Sequence, residues 1–161
     1  MANWIDKAVE RERQRHADGQ RAASKRASET RIYEARANDF WRGLCGRLRE
    51  AVDQYSSGLE AVGIGRTTIV VSPTTLEAAK PNGYKLSAKF DEAGRRVSCA
   101  YAAGSASFER IYDIEVAENN GLVLARDLDD EERLHISRDR TTFQNGEIVA
   151  ELLLPFFDEQ H

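Results

Sequence analysis

Histidine and cysteine carry much of the acid–base, nucleophilic and metal chemistry of proteins, and this chain is poor in both. Its histidines are His16, His135 and His161. A general base needs a partner within hydrogen-bond reach. His16 sits in a run of charged residues and His161 is the last residue, while His135 takes the polar parity between Leu134 and Ile136. The spacing supplies no partner, so His135 reads as a solvent-facing strand residue. Cys45 falls on the apolar stripe of a helical segment and Cys99 on the apolar parity of a strand. Both read as small buried hydrophobes, without the access and lowered pKa of a nucleophile. There is no Cys-x-x-Cys pair and no histidine beside either thiol, which excludes a structural zinc site and a disulfide scaffold.

Two further segments invite a chemical reading and fail it on context. Asp127-Leu128-Asp129-Asp130-Glu131-Glu132 is the densest carboxylate cluster. A calcium loop of the EF-hand type needs glycine at its sixth position, and Glu132 stands there, so the segment reads as a solvated acidic loop. Gly63-Ile64-Gly65-Arg66-Thr67-Thr68 has the glycines of a phosphate loop. It lacks the lysine and the following helix that such a loop requires, and a helix rather than a strand precedes it. The sequence therefore names no catalytic residue, no metal ligand and no cofactor, and argues against an enzyme.

Binding is the better prospect. Trp4 and Ile5, with Val9 one turn on, are large apolar residues at the head of a polar helix. They either tuck back onto their own domain or anchor a partner, a role in which aromatics are favoured. A second set, Trp41, Tyr55, Tyr84, Tyr101 and Tyr112, reads either as core aromatics or as the lining of a small-molecule pocket between sheet and helices. Residues 1–31 hold eight basic residues against five acidic ones, a net +3. The interspersed acids, and the absence of aromatics between Ile5 and Tyr33, argue against nucleic acid as the main partner.

The elements that must position these residues follow from periodicity. Residues 1–31 read as a polar helical arm whose only apolar residues after Val9 are alanines. From Ile32 the apolar positions Tyr33, Ala37, Trp41, Leu44, Leu48 and Val52 recur at three- and four-residue steps. That predicts an amphipathic helix over 32–57, ended by Ser56-Ser57-Gly58. Gly43 and Gly46 inside it are expected to allow close approach to a sheet. Residues 66–144 alternate apolar and polar positions between turn signals, of which Asn119-Asn120-Gly121 is the clearest. Ser72-Pro73 resembles an N-cap with proline at the first helical position, predicting a short helix over 73–80. Ile148, Val149, Leu152, Leu153 and Phe156 form a helical stripe over 146–157, with Glu147 and Glu151 on the opposite side and Pro155 bending or ending the helix.

The predicted fold is α+β: a long N-terminal helix, an antiparallel β-meander of five to six strands and a C-terminal helix, the helices covering one face of the sheet. Residues 32–161 would form the domain and residues 1–31 the arm. Composition agrees with one lean domain. Of 161 residues, 35 are Leu, Ile, Val or Phe, 31% are charged, and the net charge is −4. There is no apolar run of membrane-spanning length and no secretory leader pattern, so a cytoplasmic protein is expected. The function expected is a non-enzymatic protein-interaction or self-association domain working through its arm, as a homodimer or with a protein partner. A small-molecule-binding domain is the alternative, and contact with nucleic acid through the basic arm a weaker one.

Overall fold

A computed structural model describes residues 3–135 and 139–158. The chain is α+β, as the patterning predicts. Helix α1 spans Asn3–Ala61, strands β1 to β6 span Thr68–Val71, Thr75–Ala79, Lys85–Asp91, Arg96–Ala103, Ala106–Val116 and Leu122–Asp127, helix α2 spans Asp130–His135, strand β7 Arg140–Phe143 and helix α3 Asn145–Asp158. The seven strands form one sheet in chain order, every neighbour antiparallel. Helices α1 and α3 lie on the same face.

Alternation sets the register. Leu86, Ala88 and Phe90 of β3 face the helices together with Val97, Cys99 and Tyr101 of β4 and Tyr112 and Ile114 of β5. Against them pack Tyr33, Ala37, Trp41, Leu44, Leu48 and Val52 of α1, and Ile148, Leu152, Leu153 and Phe156 of α3. Trp41 stacks on Phe90 with ring centroids 5.4 Å apart.

Three expectations are corrected. The predicted helix over 73–80 is strand β2, with Leu76 and Ala78 buried and Glu77 exposed between them. Its pairing with β1 and β3 overrides the helix-forming composition of Glu77-Ala78-Ala79. With β2 the strand count rises to seven. Second, α1 does not stop at Gly58. It ends in a Schellman turn in which Ile64 N–H donates to Leu59 C=O (2.9 Å) and Gly63, at φ 76°, donates to Glu60 C=O (3.0 Å). Third, the segment holding His135 is the end of α2 and not a strand; Ile136 lies outside the described residues. The helix predicted over 146–157 is α3, which continues past Pro155 to Asp158 rather than ending there. Its last carbonyls, those of Phe156 and Phe157, accept hydrogen bonds from Lys80 Nζ (3.4 and 3.1 Å). A cation at that end also suits the helix dipole.

Candidate functional site

Helix α1 is one element of two characters. Its 59 residues extend about 88 Å, far beyond the sheet. The packed part begins at Thr30, whose hydroxyl accepts from Arg95 Nη2 (3.0 Å). One turn on, the Tyr33 hydroxyl donates to the Glu92 carbonyl (2.5 Å) and the Arg95 guanidinium lies 4.8 Å over its ring. Arg95 holds φ 53°, a conformation rare outside glycine, and its contacts to Thr30 and Tyr33 fix the corner against which α1 leaves the body. N-terminal to that corner, residues 3–28 are exposed except the half-buried Ala17.

The arm carries Trp4 at 71% exposure, Ile5 at 49% and Val9 at 53%. Trp41 follows Ile5 by ten turns of 3.6 residues and Ala23 by five. Ile5, Ala23 and Trp41 therefore share one azimuth, with Val9 and Gly19 close to it. The azimuth that faces the sheet in the packed half continues along the arm through exposed Ile5, Val9, Gly19 and Ala23, with Glu12 and His16 between them. The flanks are charged and self-paired: Arg15 to Glu12 at 2.7 Å, Arg13 to Glu10 and Arg21 to Asp18 at 3.5 Å, Lys25 to Glu29 at 3.9 Å. Such exposed pairs contribute only tenths of a kcal/mol each. They hold the helix and leave Ile5, Val9 and Ala23 uncovered.

The five predicted pocket aromatics separate into three places. Trp41 is on Phe90. Tyr55, half-buried, stacks on Phe157 at 4.1 Å, and the Lys80 ammonium lies 5.5 Å from its ring and 6.0 Å from that of the buried Tyr84. Tyr101 and Tyr112 meet under α3. Tyr101 Oη donates to the Leu152 carbonyl (2.6 Å) and Tyr112 Oη to Glu151 Oε1 (3.0 Å).

Around that last point lies a charge cluster that the sequence reading passed over. Glu151 does not sit on the solvent side of α3. Its Oε1 also accepts from Arg126 Nε (2.6 Å) and Arg110 Nη1 (3.1 Å). Arg126, 8% exposed, grips Glu132 through both terminal nitrogens (2.9 and 2.8 Å). Glu132 closes a capping box with Asp129 at the start of α2. The hydrogen bonds from Arg126 hold the Glu132 carboxyl at a pKa of about 2. Desolvation opposes the Arg126 charge, and the two carboxylates outweigh it, so its pKa lies above the usual arginine value. Burial raises both tyrosines above their usual range, and it pushes the Cys99 thiol up to about 12. Glu132, Arg126, Tyr101 and Tyr112 are thus held in their resting protonation states and paired. This is the chemistry of a clamp on α3, not of proton transfer. The signal for it lay in parity: Arg110 and Arg126 occupy apolar positions of β5 and β6, beside Tyr112 and Leu124.

A groove lies on each side of the packed half of α1. One, of about 640 Å³, runs between α1 and the β5–β6 turn and is lined in part by Arg36, Asp39, Gly43 and Arg47. The other, of about 550 Å³, runs between α1 and the β1–β2 turn and is lined in part by Trp41, Arg42, Gly46 and Arg49. Gly43 and Gly46 do not serve close approach to the sheet, since a Cβ at either would meet nothing within 4 Å. They widen the grooves, at about 1 kcal/mol of helix propensity each relative to alanine. Among the described residues no group of three or more His, Cys, Asp or Glu could hold a metal ion, and no helix is long and apolar enough to cross a membrane. Comparison with known proteins finds no matching family model, no matching curated protein and no matching solved structure.

Proposed function

We propose that the chain is a cytoplasmic, non-enzymatic self-association domain, in which residues 1–31 form a docking arm and residues 32–161 the body that carries it. The observation behind this reading is the arm's exposure: residues 3–28 are helical, yet only Ala17 is even half-covered. A helix with so little of its own to bury is marginal in water. Its exposed Ile5, Val9 and Ala23 lie on the azimuth that the packed half already uses, interspersed with Glu12 and His16. A second copy is the simplest cover, because a two-fold axis brings the same stripe and the same mixed-sign flanks together. Covering Trp4, Ile5 and Val9 contributes about 1.5–3 kcal/mol for each side chain. Set against the cost of association, that supports a dimer of moderate affinity. The cytoplasm suits Cys45 and Cys99, both free, since thiols stay reduced there.

The test is sedentation-grade mass measurement of the full chain by light scattering or ultracentrifugation. The triple variant Trp4→Glu, Ile5→Glu, Val9→Glu is expected to run as a monomer at concentrations where the parent is a dimer, with an unchanged far-ultraviolet spectrum for the body. Deletion of residues 1–28 is expected to do the same. A parent that is monomeric throughout, or an assembly that survives both changes, refutes the reading.

A further inference from the structure

The groove between α1 and the β1–β2 turn has the character of a ligand site independent of the arm. We propose that it binds a small organic anion with an apolar body, a carboxylate or phosphate monoester carried on a ring or short chain. Its volume of about 550 Å³ is within the range of small-molecule pockets. The α1 wall presents Arg42 and Arg49, seven residues and so about 10.5 Å apart along the helix. Between them Gly46 leaves the helix surface bare. An extended arginine side chain is long enough to reach that gap from either position. The turn opposite supplies Val71 and Pro73 as an apolar wall and Ser72 as a hydroxyl.

Charge decides the ligand class. No carboxylate among the described residues lines this groove. Among the described residues neither Arg42 nor Arg49 forms an ion pair, even though Asp53 lies one turn from Arg49. The sheet arginines are different: Arg96, Arg110, Arg126 and Arg140 each hold at least one carboxylate. Two guanidinium groups without a carboxylate partner thus stand beside one concavity. Guanidinium matches carboxylate and phosphate oxygens in a planar, two-bond geometry. On the same wall the buried Trp41 indole N–H has no acceptor among the described residues, an unsatisfied donor of a kind native cores seldom keep. The companion groove differs in carrying a carboxylate, Asp39, and in that its Arg36 donates to the Asn120 carbonyl at 2.9 Å, although its Arg47 Nε is also a buried donor without an acceptor among the described residues.

The experiment titrates the full-length protein by calorimetry with 1-naphthyl phosphate, 1-naphthoate and the neutral 1-naphthalenemethanol. At least one anion is expected to bind with a dissociation constant of about 1 mM or tighter, and the alcohol at least tenfold more weakly. The tighter of the two anions identifies the head group. The pair Arg42→Gln, Arg49→Gln is expected to lose tenfold or more. Gly46→Leu fills the gap and is expected to lose binding as well. Leucine is a better helix former than glycine, so a melting temperature at or above the parent's separates a filled groove from a failed fold. Equal binding of the neutral alcohol, binding undiminished in the arginine pair or in a folded Gly46→Leu variant, or no binding of either anion would overturn the proposal.

Discussion

The Arg126–Glu151 contact makes a quantitative prediction about what fastens α3 to the sheet. Arg126→Met removes a side chain that is 8% exposed and that bonds Glu151 at 2.6 Å and Glu132 at 2.9 and 2.8 Å. Breaking a buried ion pair from one side costs about 3–5 kcal/mol, because the abandoned charge stays buried. Here the abandonment is partial. Glu132 sits at the rim, its side chain 28% exposed, and turns to water, while Glu151 keeps Arg110 at 3.1 Å and Tyr112 at 3.0 Å. The expected loss is therefore at the low end, about 3 kcal/mol. Glu151→Leu strands Arg110 and the Tyr112 hydroxyl but leaves Arg126 on Glu132, and is expected to cost about the same. Neither exceeds the stability of an ordinary domain, about 5–15 kcal/mol, so both variants should fold.

The double variant distinguishes a clamp from two unrelated sites. With both charges gone no uncompensated partner remains between Arg126 and Glu151. Independent effects would sum to about 6 kcal/mol, whereas a shared interaction predicts about 3 kcal/mol for the pair and a coupling of similar size. The assay is equilibrium urea unfolding of all four proteins at one protein concentration, so that self-association does not enter the comparison. Either single variant costing under about 1 kcal/mol, or costs that add within about 0.5 kcal/mol, would refute the clamp.

Two other predictions concern protonation. The folded pKa of Glu132, about 2, lies below its usual 4.5, so its contribution is complete above the usual value and is lost as pH falls through the folded one. Screening at this partly exposed carboxylate limits the effect to about 1–2 kcal/mol. Melting temperatures between pH 5 and pH 2 should fall less steeply for Glu132→Gln than for the parent; parallel curves would deny Glu132 this role. Burial pushes the thiols of Cys45 and Cys99 up to about 11 and about 12, so at pH 8 both should resist an aromatic disulfide reagent until the chain is unfolded. Rapid stoichiometric labelling of the native protein at Cys99, read by mass spectrometry of the peptides, would contradict its burial.

Much of this architecture is written in local pattern. The alternation in β3, β4 and β5 identifies buried Leu86, Cys99 and Tyr112 because a period of two has only one way to face a core. Asn119-Asn120-Gly121 marks its turn because Asn120 takes φ 61° and the Asn119 side chain bonds the Gly121 N–H. What stayed hidden depends on distant partners. Strand β2 carries helix-forming residues and a helix-like Ser72-Pro73 start, and only its two neighbours make it a strand. Glu151 reads as the outer face of α3, since its ligands Arg110 and Arg126 lie 41 and 25 residues away. The arm's exposure is legible from its composition; the collinearity of its stripe with the packed stripe appears only once α1 is known to be unbroken from Asn3 to Ala61.

That continuity bears on why a weakly apolar arm can serve as a docking element. Starting a helix is costly and extending one is not, because the first turn fixes several residues for a single hydrogen bond. In α1 the start is supplied by the half that packs on the sheet from Tyr33 onward, where Ala37, Leu44, Leu48 and Val52 are wholly buried. The arm then needs only propagation, for which its alanines, arginines and glutamates are well suited, and neither proline nor a capping turn interrupts it between residues 3 and 33. A detached peptide of the same sequence would have to order its backbone on binding, at about 1–2 kcal/mol per residue. Tethered to a folded helix, the arm presents Ile5, Val9 and Ala23 already in register, so a few side chains can support association that the free segment could not.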